Sequence, residues 1–193
     1  MAMLPITASV PRPFSITKPD THEVLLQAAV VELGAMISEG HIIRAVTLPW
    51  HRLSEELVRD PRRLFDFAQY PRKFEEFIAG AYEEDGWQVV LTPPSGDHGR
   101  DVIATKPGFM AIRVLDQCKA FSPGHVVTAD DVRAMYGVVS MDQNVSKGVI
   151  TTTSKFAPRV REAFKDIIPY RLDLRDGPAL REWLRLVAKK TEE

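Results

Sequence analysis

The chain lacks several features that would define its chemistry at once. It has one cysteine among 193 residues, Cys118. That excludes an intrachain disulfide and a cysteine-rich zinc site. No apolar run approaches the roughly 18 residues that a membrane-spanning helix needs, so no membrane partner is expected. Charge is nearly balanced, with 25 basic and 26 acidic side chains and a net of −1. A globally basic protein that coats nucleic acid or membrane is therefore excluded. The N-terminal stretch MAMLPITASVPRPF has no basic segment ahead of a long apolar one. A secretory signal is not expected, and the cytoplasm is the expected compartment. Neither common Gly-rich nucleotide loop occurs, and there is no HExxH. No nucleotide cofactor is expected, and no internal repeat is visible.

What is present is the balance of an ordinary globular protein, 45% apolar and 26% charged. The length suits one domain with an extension. Charge is locally uneven. Residues 51–101 carry 7 basic and 11 acidic side chains, and residues 102–172 carry 10 basic and 6 acidic. An acidic cluster beside a basic one suits a metal site that handles a polyanion, although ordinary surface scatter reads the same way.

Residues 1–20 hold four prolines and no apolar period, and read as an irregular arm. Residues 22–37, HEVLLQAAVVELGAMI, fit a helix or short strands. Residues 52–66 read as helical, with Pro61 breaking or kinking the run. After Pro71 the pattern sharpens. Residues 72–85 place Phe74, Phe77, Ile78, Ala81 and Tyr82 on one helical stripe, between Pro71 at the start and Gly86 at the stop. Strands follow at 87–92, 101–106 and 109–121, then a helix over 130–141 with Val132, Met135, Tyr136 and Val139 on its inner face. A strand at 148–153, a helix near 157–166, a strand near 170–174 and a helix from Pro178 to about Lys189 complete the chain. The three clustered strands suit hairpins, and the strand at 148 suits a parallel crossover. The expected architecture is an α/β mixed sheet with helices on both faces.

Asp101 follows the loop PPSGDHGR and opens a strand. Gln117 and Lys119 lie two apart on the next strand, so period-2 geometry sends both to one face. If the two strands pair, an acid, an amide oxygen and a lysine meet at one point. Such a set can hold a hard divalent ion beside a phosphate. The plainer reading, a turn aspartate and a solvated strand face, stays open on this spacing alone.

The run from Pro71 to about Trp183 resembles the catalytic domain of Mrr-like restriction endonucleases, in the PD-(D/E)xK nuclease superfamily. The matching pieces are FEEFIAGAYEEDGW (74–87), LTPPSGDHGRDVIA (91–104), DQCKAF (116–121) and VSKGVITTTSKFAP (145–158). The resemblance implies a restriction-endonuclease-like αβββαβ core over residues 71–193, with residues 1–70 as an extension of unclear role. It implies a metal-dependent endonuclease that hydrolyses DNA phosphodiester bonds in restriction or phage defence. Magnesium is the implied ion, with manganese able to substitute. Asp101 takes the position of the metal-binding aspartate and Lys119 that of the catalytic lysine. Gln117 stands where most of the superfamily has Glu or Asp. Glu75 takes the place of the acidic residue on the first helix that supplements the metal site. With a neutral glutamine as ligand, metal affinity rests more on Asp101 and Glu75.

Weaker expectations concern DNA contacts. Ser95 and His98 lie in the loop before Asp101. The hydroxyls of Thr151, Thr152, Thr153 and Ser154 either contact phosphate or cap the following helix. Lys147, Lys155, Arg159 and Arg161 belong to a basic run suited to a DNA backbone. Cys118 has the opposite parity to Gln117 and Lys119 and reads as a small buried hydrophobe. Two other functions stay open, a catalytically silent DNA-binding or regulatory subunit of the same fold and a junction or repair nuclease. Homodimerisation also stays open.

Overall fold

A computed structural model of the chain describes residues 21–94, 99–109 and 111–191. The elements run α1 (Thr21–Gln27), β1 (Val31–Ile37), β2 (Gly40–Ala45), α2 (Thr47–Arg59), a 3-10 helix (Pro61–Gln69), α3 (Pro71–Glu84), β3 (Gln88–Leu91), β4 (Val102–Lys106) and β5 (Ile112–Lys119). They continue with β6 (Val126–Val127), α4 (Ala129–Met141), β7 (Lys147–Thr152), β8 (Lys155–Phe156), α5 (Val160–Ala163), β9 (Leu172–Arg175) and α6 (Gly177–Thr191). Seven strands form one sheet in the order β1-β2-β3-β4-β5-β7-β9. Pairing is antiparallel from β1 to β5 and parallel from β5 through β7 to β9. The pair β6–β8 forms a small parallel annex. The expected mixed sheet with its αβββαβ core is present as α3-β3-β4-β5-α4-β7.

Strand parity divides the apolar residues between two cores. Val102, Ala104, Val114 and Val149 face a first core built with α2, the 3-10 helix, α3 and α6. Ile103, Leu115, Ile150, Leu172 and Leu174 face a second core under α4, the annex and α5. Residues 31–45 extend the sheet by two strands. Trp50, Leu53, Leu57 and Phe67 are fully buried against Phe74 and Phe77, each such burial favouring the fold by about 1.5–3 kcal/mol. Trp50 Nε1 donates to the Phe77 carbonyl at 3.0 Å. Gly80 lets the indole come this close, since a Cβ there would stand 2.7 Å from Trp50 Cδ1. No helix among the described residues is long and apolar enough to cross a membrane.

Four expectations need adjustment. The ambiguous segment 22–37 is a helix and then a strand, joined at residues 28–30. The strand expected over 109–121 spans only Ile112–Lys119. Its far end is cut short because Thr153 captures the backbone of Phe121, whose N–H donates to Thr153 Oγ1 at 2.8 Å. The helix expected near 157–166 is the four-residue α5, preceded by Arg159 in the left-handed region at φ 65°. Tyr136, expected on the inner face of α4, is 37% exposed, while Val132, Met135 and Val139 carry the buried stripe.

Candidate active site

The chemistry-bearing residues gather where β4 begins and β5 ends. Val102 pairs with Asp116, and the Asp101 N–H donates to the Asp116 carbonyl at 3.0 Å. The ladder thus continues one step past β4 and sets Asp101 across from Gln117. By the two-residue period, Asp101, Gln117 and Lys119 share the face of Ile103 and Leu115. Asp101 Oδ2 accepts the Cys118 N–H at 2.6 Å, which locks the carboxylate against the Gln117–Cys118 peptide. Thr92 pins the strand entry from behind, its hydroxyl donating to the carbonyls of Arg100 and Asp101 at 2.7 and 3.1 Å.

Gln117 is half-buried, and its Oε1 has no hydrogen-bond partner among the described residues. Gly99 passes close to the same amide, in the left-handed region at φ +77°, and a Cβ there would lie 3.3 Å from Gln117 Nε2. Lys119 Nζ sits 3.0 Å from Asp131 Oδ1. Asp131 Oδ2 also accepts from the backbone N–H and the hydroxyl of Thr128 at 2.8 Å each, completing a capping box at the start of α4. Burial pushes the Asp131 carboxyl up, but hydrogen bonds from Thr128 and the Lys119 ammonium hold it below its usual value.

Glu75 approaches from α3, on the first-core side. Its Oε2 accepts from Arg72 at 2.7 Å, and the same Arg72 nitrogen donates to the Thr92 carbonyl at 2.8 Å. Arg72 thereby ties α3 to the strand that leads toward Asp101. Glu76 pairs with Lys73 and is the more exposed of the two acids. The Cys118 thiol senses the surrounding carboxylates. Burial, then Asp116, Asp101 and Glu75, push it well above its ordinary value, so it is a neutral thiol packed against the first core.

On the opposite face of β5 lies a buried polar network, in which Asp116 Oδ1 has no hydrogen-bond partner among the described residues. Asp116 is completely buried. Its Oδ2 accepts from Thr151 Oγ1 at 2.7 Å, Tyr82 Oη at 3.0 Å and Arg175 at 3.3 Å. The Arg175 guanidinium stacks 3.8 Å from the Trp183 ring centroid. Burial raises the Asp116 carboxyl above its usual value, against the opposing pull of Arg175.

The hydroxyl run behaves as neither phosphate ligand nor helix cap. Thr151 serves Asp116, Thr152 donates to the Lys119 carbonyl at 2.8 Å, Thr153 to the Phe121 carbonyl at 2.9 Å, and Ser154 to the His125 carbonyl. All four are buried. They fasten the end of β5 and the loop after it to β7. The basic run is divided. Lys155, Arg159 and Arg161 line one cavity of about 500 Å³. Arg161 is partly engaged there, donating to the Leu174 carbonyl at 2.8 Å and lying over Phe156. Lys147 opens β7, five residues before Thr152, so the length of the strand, at about 3.3 Å per residue, separates it from the others. Ser95 and His98 lie outside the described residues.

Sequence reading missed Arg72, Asp131 and the Asp116 network. Thr128 and Asp131, at Ncap and N3 spacing ahead of an apolar helix, carried the signal for one of them.

The donor chemistry fits a hard divalent cation. Asp101 and Gln117 face each other across the β4–β5 ladder, the Gln117 amide oxygen is buried without a hydrogen-bond partner among the described residues, and the Glu75 charge is felt at the neighbouring Cys118 from the other side of the sheet. Among the described residues, no group of three or more His, Cys, Asp or Glu side chains gathers as a metal cage. The set therefore depends on the glutamine.

Residues 68–184 match the sequence profile of the Mrr-type catalytic domain, described as a restriction endonuclease. No curated protein matches the chain. Among solved structures, the chain is similar to restriction endonuclease FokI, with a TM-score of 0.52 at 13% identity over 76% of this chain and 32% of that one. FokI bound to DNA gives 0.51 at 12% identity, over 76% and 31%. MspJI in complex with a 27-mer oligonucleotide gives 0.48 at 19% identity, over 78% and 37%. The FokI likeness speaks for the fold alone. The chain spans about a third of the length of these proteins.

Proposed function

Because the chain belongs to the Mrr-type catalytic-domain family of restriction endonucleases, we propose that it hydrolyses DNA phosphodiester bonds with a divalent metal ion, magnesium or in its place manganese. A bacterial restriction or phage-defence system is the setting this reading fits. The cytoplasm, where such a chain meets DNA, is the compartment it requires. The observation that carries the reading is the meeting of Asp101, Gln117 and Lys119 on one sheet face, with a buried amide oxygen left unpartnered.

Asp101 and Gln117 would hold the ion, with Glu75 adding charge from α3. When bound, the ion polarises the phosphate and lowers the pKa of a bound water. The protein's own groups do the rest. The Cys118 N–H fixes the Asp101 carboxylate. Lys119 offers its ammonium to the non-bridging oxygens as charge builds there. Asp131 holds that ammonium until a phosphate competes for it. Cys118 takes no part, since its thiol stays neutral.

Residues 21–70 serve this reading as part of the nuclease's own core, since two strands and several buried side chains of that region complete the sheet and its first core. Lys155 and Arg159 are the proposed contacts to the DNA backbone. The test is incubation of methylated and unmethylated plasmid with and without magnesium. Metal-dependent nicking or linearisation is expected. A chain that binds DNA but leaves both plasmids intact at every metal tried would refute the nuclease reading.

A further inference from the structure

The loop that follows Lys119 carries an aromatic pair that the cleavage chemistry does not use. Phe121 and His125 stack with ring centroids 4.1 Å apart and planes 20° from parallel. Phe121 packs against the second core, the core on the Gln117 and Lys119 face. His125 is exposed. With Phe121 against one side of the imidazole, the other side is turned to solvent, and no other ring among the described residues stacks on it.

This pair is held firmly. The Phe121 backbone is bonded in both directions to Thr153 Oγ1, at 2.8 and 2.9 Å. Thr153 N–H donates to the Lys119 carbonyl at 3.2 Å, and His125 N–H to the Ser122 carbonyl at 3.2 Å. Ser154 Oγ donates to the His125 carbonyl. A short solvent loop does not need five such hydrogen bonds to close a turn. The neighbourhood is basic on balance. Val126, the next residue, pairs with Lys155 in the annex, and Lys155 shares its cavity with Arg159 and Arg161 as well as Glu162 and Asp176. A flat, exposed ring thus stands six residues past the end of β5, stacked on a phenylalanine two residues past it, with Lys155 close in the fold.

We propose that Phe121 and His125 form a stacking platform for an unpaired nucleobase next to the scissile phosphate. This inference rests on the DNA reading above and names a substrate preference within it. Inside continuous duplex, both faces of every base are covered by its neighbours. Only a base at an end, in a gap, in a flap or splayed out of the helix can lie on the imidazole, while the adjoining phosphates meet Lys155 and Lys119. The chain therefore binds DNA with an unpaired base at the site more tightly than unbroken duplex. Base-on-ring stacking of this kind changes affinity by roughly tenfold to a hundredfold per base.

The experiment uses the full chain in calcium and reads binding rather than cleavage. The probes are a short single strand carrying 2-aminopurine and the same sequence as a closed duplex, followed by anisotropy and by quenching of the 2-aminopurine emission. Wild-type protein should prefer the single strand and quench it. His125→Ala should lose about tenfold or more on the single strand, with a smaller loss on the duplex, an unchanged melting midpoint and no quenching. His125→Trp, which enlarges the stacking surface, should bind the single strand at least as tightly as wild type. If His125→Ala lowers the melting midpoint, the Trp variant decides, and a Trp variant that folds but no longer quenches overturns the platform. Equal binding of both probes by wild type and His125→Ala also overturns it, and leaves the nuclease reading standing. Failure of wild type to bind either probe would instead refute the DNA reading itself.

Discussion

Two faces of one strand carry the polar groups of this protein, and they are finished differently. On the first-core face, Asp116 is sealed among Tyr82, Thr151 and Arg175, and a tryptophan ring covers the arginine. On the other face, Gln117 keeps a buried oxygen without a hydrogen-bond partner among the described residues, and Lys119 is paired with the partly exposed Asp131. Both faces hold a carboxylate and a cation, so residue type does not separate them. Nor does full satisfaction separate them, since Asp116 Oδ1, like Gln117 Oε1, is buried without a hydrogen-bond partner among the described residues. What separates them is access. Asp116 is fully buried beside Arg175, whereas Gln117 and Lys119 are only half-buried. A polar cluster shut away from solvent can serve the fold alone, and one that solvent reaches is open to a ligand as well.

The comparison breaks most visibly at the open face. Asp101→Ala and Lys119→Ala should each lower plasmid cleavage by about 10⁴-fold or more, with melting midpoints close to wild type. An active Lys119→Ala would show that the open face is not the site. The buried face should answer in stability instead. Asp116→Ala or Arg175→Ala strands a buried charge and should remove about 3–5 kcal/mol of stability in urea titrations. The paired replacement Asp116→Leu with Arg175→Leu should lose clearly less than the two singles together. If the singles are silent in unfolding but dead in cleavage, the network belongs to the chemistry instead.

A smaller effect concerns DNA. Replacing Lys155 and Arg159 by alanine should flatten the dependence of log affinity on log salt by about one to two units. Lys147→Ala should leave that slope alone, because β7 carries Lys147 to the far end of the sheet. Smallest of all is the acid response of the α4 cap. The Asp131 carboxyl is held below its ordinary value. Its stabilising contribution is therefore complete above about pH 4 and drains away as pH falls through the lowered value. Asp131→Asn should remove that acid-side loss, so that midpoints measured below about pH 4 depend less on pH than in wild type. An identical acid limb in the variant would mean that other carboxylates set it.

Much of this was legible in the residues. The period-2 spacing of Gln117 and Lys119 placed them together, and the proline and glycine flanking α3 bounded that helix within a residue or two. Pro61 broke the helical run where its missing N–H required it. Other features left no one-dimensional trace. Residues 22–37 are strongly apolar with no clear period, so the choice between helix and strand fell to the sheet edge they join. The run of hydroxyls at 151–154 reads like a ligand set until β5 is seen beside it. Lys147 and Lys155 look like neighbours in a basic run because sequence does not say that a strand lies between them. Asp131 and Arg72 act at a distance of 12 and 20 residues from the groups they hold.

The fastening of β5 by the threonines has a consequence in time. Thr152 and Thr153 reach Lys119 and Phe121 from more than 30 residues later in the chain. Until that downstream segment exists and docks, the carbonyl of Lys119 and the N–H of Phe121 lack their partners, and the strand that carries the reactive lysine has no neighbour on its parallel side. Ordering it any earlier would mean closing a long loop with nothing to hold it shut. Synthesis therefore delivers Asp101, Gln117 and Lys119 well before it delivers the segment that aligns them. On the proposed nuclease reading, a chain that has emerged only as far as Lys119 is not yet assembled to cut, and its alignment waits for Thr152 and Thr153.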